Sequence, residues 1–372
     1  MDQKVIQAVH IYVLIIMNTG FMVHVLLLPN ILTASQRDAW ISVIISVVPC
    51  IIWTLFIFYI YKKLDKEDII AFLKKWSTPF VTYIFTISFG LYFIFNAFIT
   101  VKFTVIWAKA NYTHDIPNIV VVSLFTFTCM FATYKGIRTI STLALLFLPF
   151  VTFFGIFVGL GNTSNKNYEL LFPIFESGYR NTLNGILYTS AGYLEIIVFL
   201  FLTPYLKGKL KAKWLLLVGV ILIMLTLGPL MGAIAEFGSV EAAKMRNPTY
   251  EQWKLLRFGY YITRLDFLSI FQWLSGAVIR ISLCLFIGYK LISNSKHQKW
   301  ILLSLYLMIF FGTLIHWDAT SFFYFIYKYF FPISSLFLLS AAIILLFLIP
   351  FAPTYGPQNK HHGVVTAKET FI

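Results

Sequence analysis

Charge is scarce in this chain. Only 12% of its 372 residues are Asp, Glu, Lys or Arg, against about a quarter in an ordinary soluble domain. Acids are scarcer than bases, 15 against 29, which leaves a net charge of +14. So few polar side chains cannot cover a water-facing surface, and a soluble globular domain is excluded. Cysteine is rare too. Cys50, Cys129 and Cys284 all lie in apolar runs and their number is odd, so there is no disulfide framework and no metal-ligand spacing. The chain carries no phosphate-binding glycine loop and no GxSxG. It therefore reads as a protein that is not an enzyme, with no cofactor and no metal. The basic excess does not point to nucleic acid, because Lys and Arg fall in short segments between apolar runs, as the positive-inside bias requires.

What is present is apolar length. The chain is 59% hydrophobic with a mean hydropathy of +0.81. Many runs exceed the roughly 18 residues that cross a hydrocarbon core of about 30 Å. Ten spans are expected, near residues 10–32, 40–61, 80–108, 117–134, 142–160, 184–206, 214–235, 260–289, 300–316 and 331–350. The fold class is all-α, polytopic and membrane-embedded. The third and eighth spans are long enough to tilt. Basic residues cluster in alternate connections, notably Lys62, Lys63, Lys74 and Lys75, then Lys207, Lys209, Lys211 and Lys213. That bias places both termini in the cytoplasm. Met1 to Gln7 lead straight into the first span without a small-residue cleavage site, so no cleavable signal is expected. Residues 1–352 form one transmembrane domain, and 353–372, with His361 and His362, form a disordered cytoplasmic tail. Two outer connections read as structured, 162–184 and 236–260; the latter carries "SVEAAKM" and "YEQWKLL" with helical spacing. The inner stretch 62–76, "KKLDKEDIIAFLKKW", reads as a short amphipathic helix.

Ten spans divide into five and five, about 10–160 and 184–350. Halves with an odd number of spans insert with opposite topology, the inverted repeat common in transporters. The first spans of the halves match: "IYVLIIMNTGFMVHVLLLP" has Asn18, Thr19, Gly20 and Pro29, and "ILYTSAGYLEIIVFLFLTP" has Thr189, Ser190, Gly192 and Pro204. Gly20 and Gly192 each lie about 12–15 Å into their spans at 1.5 Å per residue, near the midplane. Either both helices are broken there, or the small residues serve close helix packing. A broken helix exposes N–H groups at one end and carbonyls at the other, which together suit the carboxylate and ammonium of an amino acid. Irregular backbone survives in a bilayer only where it lines a cavity.

Three stretches, "LPNILTASQRDAWISVIIS" (28–46), "TYKGIRTISTLALLFLPF" (133–150) and "RLDFLSIFQWLSG" (264–276), together with the ten-span layout, resemble the B subunit of spore germinant receptors. That family lies within the amino acid–polyamine–organocation transporter superfamily. The resemblance implies a LeuT-like fold with a pocket between spans one, three, six and eight. It also implies a nutrient sensor of the spore inner membrane that triggers germination with A and C partner subunits. The alternative is an amino acid or amine permease working by alternating access. Some proton-coupled relatives carry a lysine in the fifth span; here "TLALLFLPFVTFFGIFVGL" has no charge, which speaks against that route.

The candidate binding set is Asn18, Thr19, Gly20 and Phe21 at one interruption, and Ser190, Ala191, Gly192, Tyr193 and Glu195 at the other. Asn96 and Thr100, with Tyr92, share a face of the third span at four-residue spacing. Gln272 and Ser275, beside Trp273 and Gly276, stand on the eighth. Glu195 is the leading candidate. An acid at mid-membrane costs roughly 2.5–3.5 kcal/mol on insertion scales, so it faces a cavity or a partner. It either meets a ligand's ammonium or a proton, or, with Gly192 as N-cap, caps its own restarted helix. Lys102 and Arg280 are expected to snorkel or pair structurally. His24 and His316 are expected to be hydrogen-bonded structural residues, Arg264 and Asp266 an outer latch or interfacial pair, and Gln36-Arg37-Asp38 a turn and cap.

Overall fold

The protein, in a computed structural model, is described for residues 4–64, 67–176, 178–257, 259, 261–293 and 298–348. The expected tail, with its His pair, lies outside the described residues. A two-residue strand β1 (Ile6–Gln7) leads into α1 (Ala8–Phe21), a π-helical turn (Met22–Leu26) and α2 (Leu28–Ser35). Then follow α3 (Ala39–Ile45), α4 (Val47–Lys63), α5 (Ile69–Trp76), α6 (Pro79–Asn111), α7 (Asn118–Lys135), α8 (Ile137–Gly161) and α9 (Tyr179–Leu194). A 3-10 stretch, Glu195–Tyr205, continues α9 into strand β2 (Leu206–Lys207). The remainder is α10 (Ala212–Phe237), α11 (Ser239–Lys244), α12 (Pro248–Leu255), α13 (Leu268–Ile292), α14 (Gln298–Leu314), α15 (Ala319–Phe325), a second π turn (Ile326–Phe330) and α16 (Phe331–Leu348). Nine helical stretches among the described residues are long and apolar enough to cross a membrane, and α14, with 17 residues, is a shorter apolar helix. This is a multi-pass helical membrane protein. Both helices expected between 236 and 260 form, as α11 and α12, and α5 carries the amphipathic inner stretch, capped by the Asp68 carboxylate on Ile70 N–H.

The core of the bundle is α6 against α13. They cross where small residues let backbones approach: a Cβ on Gly288 would lie 2.8 Å from Ile94 Cγ1 and 3.2 Å from the Gly90 carbonyl. Without water to drive association, such close approach and its dispersion contacts hold membrane helices together. α1 packs on α13, α8 and α10, and α2 packs along α9. By contrast α8 buries only 11% of its apolar window, so most of its surface faces outward.

The two interrupted helices depart from α geometry only after the glycines, at Met22 and at Glu195. Asn18 to Phe21 are inside α1 and Ser190 to Tyr193 are inside α9. The first departure sits just ahead of Pro29, which has no N–H to continue the ladder. The second begins at Glu195. The glycines are packing residues. A Cβ on Gly20 would come within 3.3 Å of Leu225 Cδ1, and one on Gly192 within 2.5 Å of Val23 Cγ1 and 2.6 Å of Leu27 Cδ1. Since α9 runs through Gly192, no helix starts there, and Glu195 does not cap one.

At the face carrying the N-terminus, β1 pairs in parallel with β2, Ile6 with Leu206 and Gln7 with Lys207. Val5 N–H adds a bond to Tyr205 O at 2.9 Å. The start of α1 is thereby tied to the end of the 3-10 stretch.

Candidate functional site: an ion pair where four helices meet

Arg280 lies at mid-length in α13 and is fully buried, 0% exposed. It does not snorkel. Its Nη1 donates to Glu195 Oε2 at 2.6 Å and its Nη2 to Glu195 Oε1 at 2.7 Å, a two-pronged fork on a carboxylate. Its other donors are also used. Nη1 reaches the Asn18 carbonyl at 3.0 Å, Nη2 reaches Asn96 Oδ1 at 2.8 Å, and Nε reaches Thr100 Oγ1 at 3.2 Å. One guanidinium thus gathers α1, α6, the start of the 3-10 stretch and α13.

Local structure explains why each partner is available. Asn96 spends its Nδ2 on the Tyr92 carbonyl and Thr100 its hydroxyl proton on the Asn96 carbonyl, which leaves an acceptor on each turned to Arg280. The Asn18 carbonyl is near the end of α1, where the ladder changes step. Tyr92 OH donates to Glu195 Oε1 at 3.3 Å, and Cys284 Sγ to Asn18 Oδ1 at 3.6 Å. Two ions in a low-dielectric interior are tolerated only with such geometry and satisfied partners.

Beside the pair is a cavity of about 10 Å³, lined in part by Asn18, Tyr92, Asn96, Glu195, Val198 and Cys284. That is room for about one water. Aromatic layers flank it on both sides. Toward Asp266, Trp273 stacks on Trp107 with centroids 4.3 Å apart and 4° between planes, and Phe21 meets Trp273 edge-on at 6.2 Å. Toward the N-terminal face, Phe201 packs on Phe89 at 4.8 Å and Phe93 at 5.2 Å, and Phe337 covers Tyr92 at 5.3 Å.

Of the candidate residues, Asn18, Asn96, Thr100 and Glu195 come together here. Thr19 and Ser190 each bury a hydroxyl oxygen that has no partner among the described residues. Phe21 packs on Gly276 and Trp273, and Ala191 is buried beside Gly192. Tyr193 turns to α10, with its OH 3.5 Å from Thr226 Oγ1. Gln272 accepts from Trp253 Nε1 at 3.2 Å and Ser275 donates to the Phe271 carbonyl at 2.5 Å, so neither joins the ion pair. Met22, whose sulfur lies 3.6 Å from Arg280 Nη2, and Cys284 belong to the site but read as plain apolar residues in sequence.

The other polar residues resolve as follows. Lys102 donates to the Thr313 and Ile315 carbonyls, each at 2.7 Å, and caps the end of α14. His24 donates through Nδ1 to the Leu225 carbonyl at 3.0 Å. His316 is not a buried structural residue: it is exposed after α14 with no hydrogen bond among the described residues. Gln36–Asp38 form a 3-10 turn and Asp38 stands at the N-cap of α3, though its side chain makes no capping bond. It accepts from Phe175 N–H at 2.7 Å, while Arg37 pairs with Glu176 at 2.5 Å. Arg264 binds Asp266 at 2.9 Å, and that hydrogen bond holds the Asp266 carboxyl below its ordinary range. Burial pushes the neighbouring Tyr112 and Tyr250 phenols up.

The fold and site define a multi-pass helical membrane protein with a fully partnered ion pair at its centre. A family model described as "Spore germination protein" matches residues 6–322. The chain is also similar to spore germination protein XB of Bacillus anthracis, 35% identical over 341 residues that cover 91% of this chain and 96% of the relative. The chain belongs to the spore germination protein family, that of the germinant receptor B subunits.

Proposed function

We propose that this chain is the nutrient-sensing subunit of a spore germinant receptor and that the Arg280–Glu195 pair is its binding centre. The pair itself carries the reading. A zwitterionic amino acid can replace each ion's partner without stranding a charge: its carboxylate takes the Arg280 fork and its ammonium takes Glu195 with Asn96 and the Asn18 carbonyl. The unpaired hydroxyls of Thr19 and Ser190 are further contacts that a ligand or water would satisfy. A cavity of about 10 Å³ holds no amino acid, so binding selects a more open state and shifts the population toward it.

In this reading the ten spans form a LeuT-like five-plus-five inverted repeat within one domain, 1–352, set in the spore inner membrane with both termini and the 353–372 tail in the cytoplasm. A and C subunits receive the shift. The aromatic layers on both sides also suit a second reading, an amino acid permease with alternating access.

The test is thermal unfolding and uptake with the full chain in proteoliposomes. A zwitterionic amino acid should raise Tm where its methyl ester and N-acetyl forms do not, without saturable uptake of the labelled compound. Equal stabilisation by all three forms would overturn the charge-pair reading, and saturable uptake would favour the permease.

A further inference from the structure

A second, larger cavity of about 310 Å³ opens at the face carrying the N-terminus, lined by Val5, Gln7, His10, Arg138, Thr142 and Lys207. No acid lines it. Arg138 and Lys207 are exposed, and neither has an ion pair or side-chain hydrogen bond among the described residues. The ring of His10 accepts from Gln7 N–H through Nδ1 at 3.2 Å. Its Nε2 therefore carries the proton of the neutral ring and is a donor. Thr142 donates to the Arg138 carbonyl at 2.8 Å and shapes the wall.

These donors are held by three separate parts of the fold. Lys207 is rooted in β2, whose pairing with β1 also fixes Gln7. His10 stands in the first turn of α1, and Arg138 and Thr142 in the first turns of α8. Two unpartnered cations and a neutral N–H donor around one cleft, at the level where the helices leave the membrane, form a basic pocket of the kind that takes lipid headgroups. A guanidinium fork beside an ammonium matches a phosphate's oxygens. The volume, many times the roughly 10–15 Å³ that admits one water, exceeds what a bare phosphate needs and leaves space for a glycerol group or hydration.

We propose that this cleft binds a phosphate-bearing anion, and that the anion bridges α8 to the β1–β2 strap. With the bridge in place, Arg138 on α8 and Lys207 on the strap are drawn to one charge, so the N-terminal face is held closed. The site is independent of the Arg280–Glu195 reading.

The full chain is reconstituted in phosphatidylcholine nanodiscs and its Tm is followed as phosphatidylglycerol replaces part of the lipid, or as inorganic phosphate is added to phosphatidylcholine alone. Arg138→Gln, Lys207→Gln and the double variant are compared with Lys213→Gln, a basic residue of the same face outside the cleft. Arg138 and Lys207 have no partner to lose and Lys213 has only the Trp214 ring, 5.4 Å from its ammonium, so all variants should stay close to the parent in phosphatidylcholine. A Tm rise with phosphatidylglycerol alone assigns a lipid headgroup, and a rise with inorganic phosphate assigns a free phosphate. In either case the rise should fall by at least half in each single variant of the cleft, vanish in the double and persist in Lys213→Gln. No rise with either anion, or an equal loss in Lys213→Gln, overturns the proposal.

Discussion

Arg280 and Glu195, 85 residues apart in the chain, meet through two hydrogen bonds of 2.6 and 2.7 Å, and both side chains are at least 95% buried. Removing one partner strands a charge. Arg280→Ala or Glu195→Leu should each cost about 3–5 kcal/mol, whereas replacing both by apolar residues of similar volume should recover most of that loss. Thermal unfolding of the two singles and the double measures the coupling. Glu195→Gln keeps the shape and should weaken an amino acid ligand at least tenfold; unchanged affinity would remove Glu195 from the binding site.

Gly192→Leu places side-chain atoms where Val23 and Leu27 already stand, 2.5 and 2.6 Å from its Cβ. Overpacking of that kind costs about 1–3 kcal/mol. Pairing it with Val23→Ala should restore part of the lost Tm. If the companion change restores nothing, Gly192 matters for some reason other than space.

Trp273→Ala removes the central ring of the layer that contains Trp107, Phe103 and Phe21. Cys284, on the cavity wall, should then react with a membrane-impermeant maleimide. Cys50 and Cys129 are changed to Ser so that only this thiol reports. The parent should label at least tenfold more slowly, and equal rates would show that the layer is not the seal.

Lys102→Met leaves the Thr313 and Ile315 carbonyls without their donor. A buried acceptor left unpaired costs about 1–3 kcal/mol. Lys102→Arg, which keeps a cation at the end of α14, should lose less. Tm of both variants checks the order.

Asp266 contributes to the response to acid. Its folded pKa is below the unfolded value of about 3.9 because Arg264 donates to it. The folded state therefore holds that proton less tightly, and the stabilisation is complete above the unfolded pKa and lost as pH falls through the folded one. Between pH 6 and pH 3 the parent should lose more Tm than Asp266→Asn. Equal slopes would assign acid lability to other carboxylates.

The hydrophobic runs made the spans legible, because apolar length against bilayer thickness needs no tertiary knowledge. Asn18, Asn96, Thr100 and Glu195 were legible as polar groups at mid-membrane, where exposure to lipid is costly. Their common partner was visible only as a basic residue of uncertain direction. Which way the Arg280 side chain turns depends on how α13 is rotated against α6, and that rotation is set by Gly90 and Gly288, contacts that no spacing rule encodes. The interruptions were placed at glycine from sequence. In the fold Pro29 marks the first, because a missing N–H breaks a ladder while a missing side chain only permits close approach. Met22 and Cys284 carry no polar signal that would mark them as site residues.

The 3-10 stretch after α9 has a mechanical consequence. It spans 11 residues, Glu195 to Tyr205. At about 2.0 Å per residue it covers roughly 22 Å, whereas the same residues as α-helix would cover roughly 16.5 Å. Rewinding between the two forms changes the separation of Glu195 and β2 by about 5.5 Å, one α-helical turn. Such a rewinding would carry the strand pair β1–β2, and with it the start of α1, along by that length.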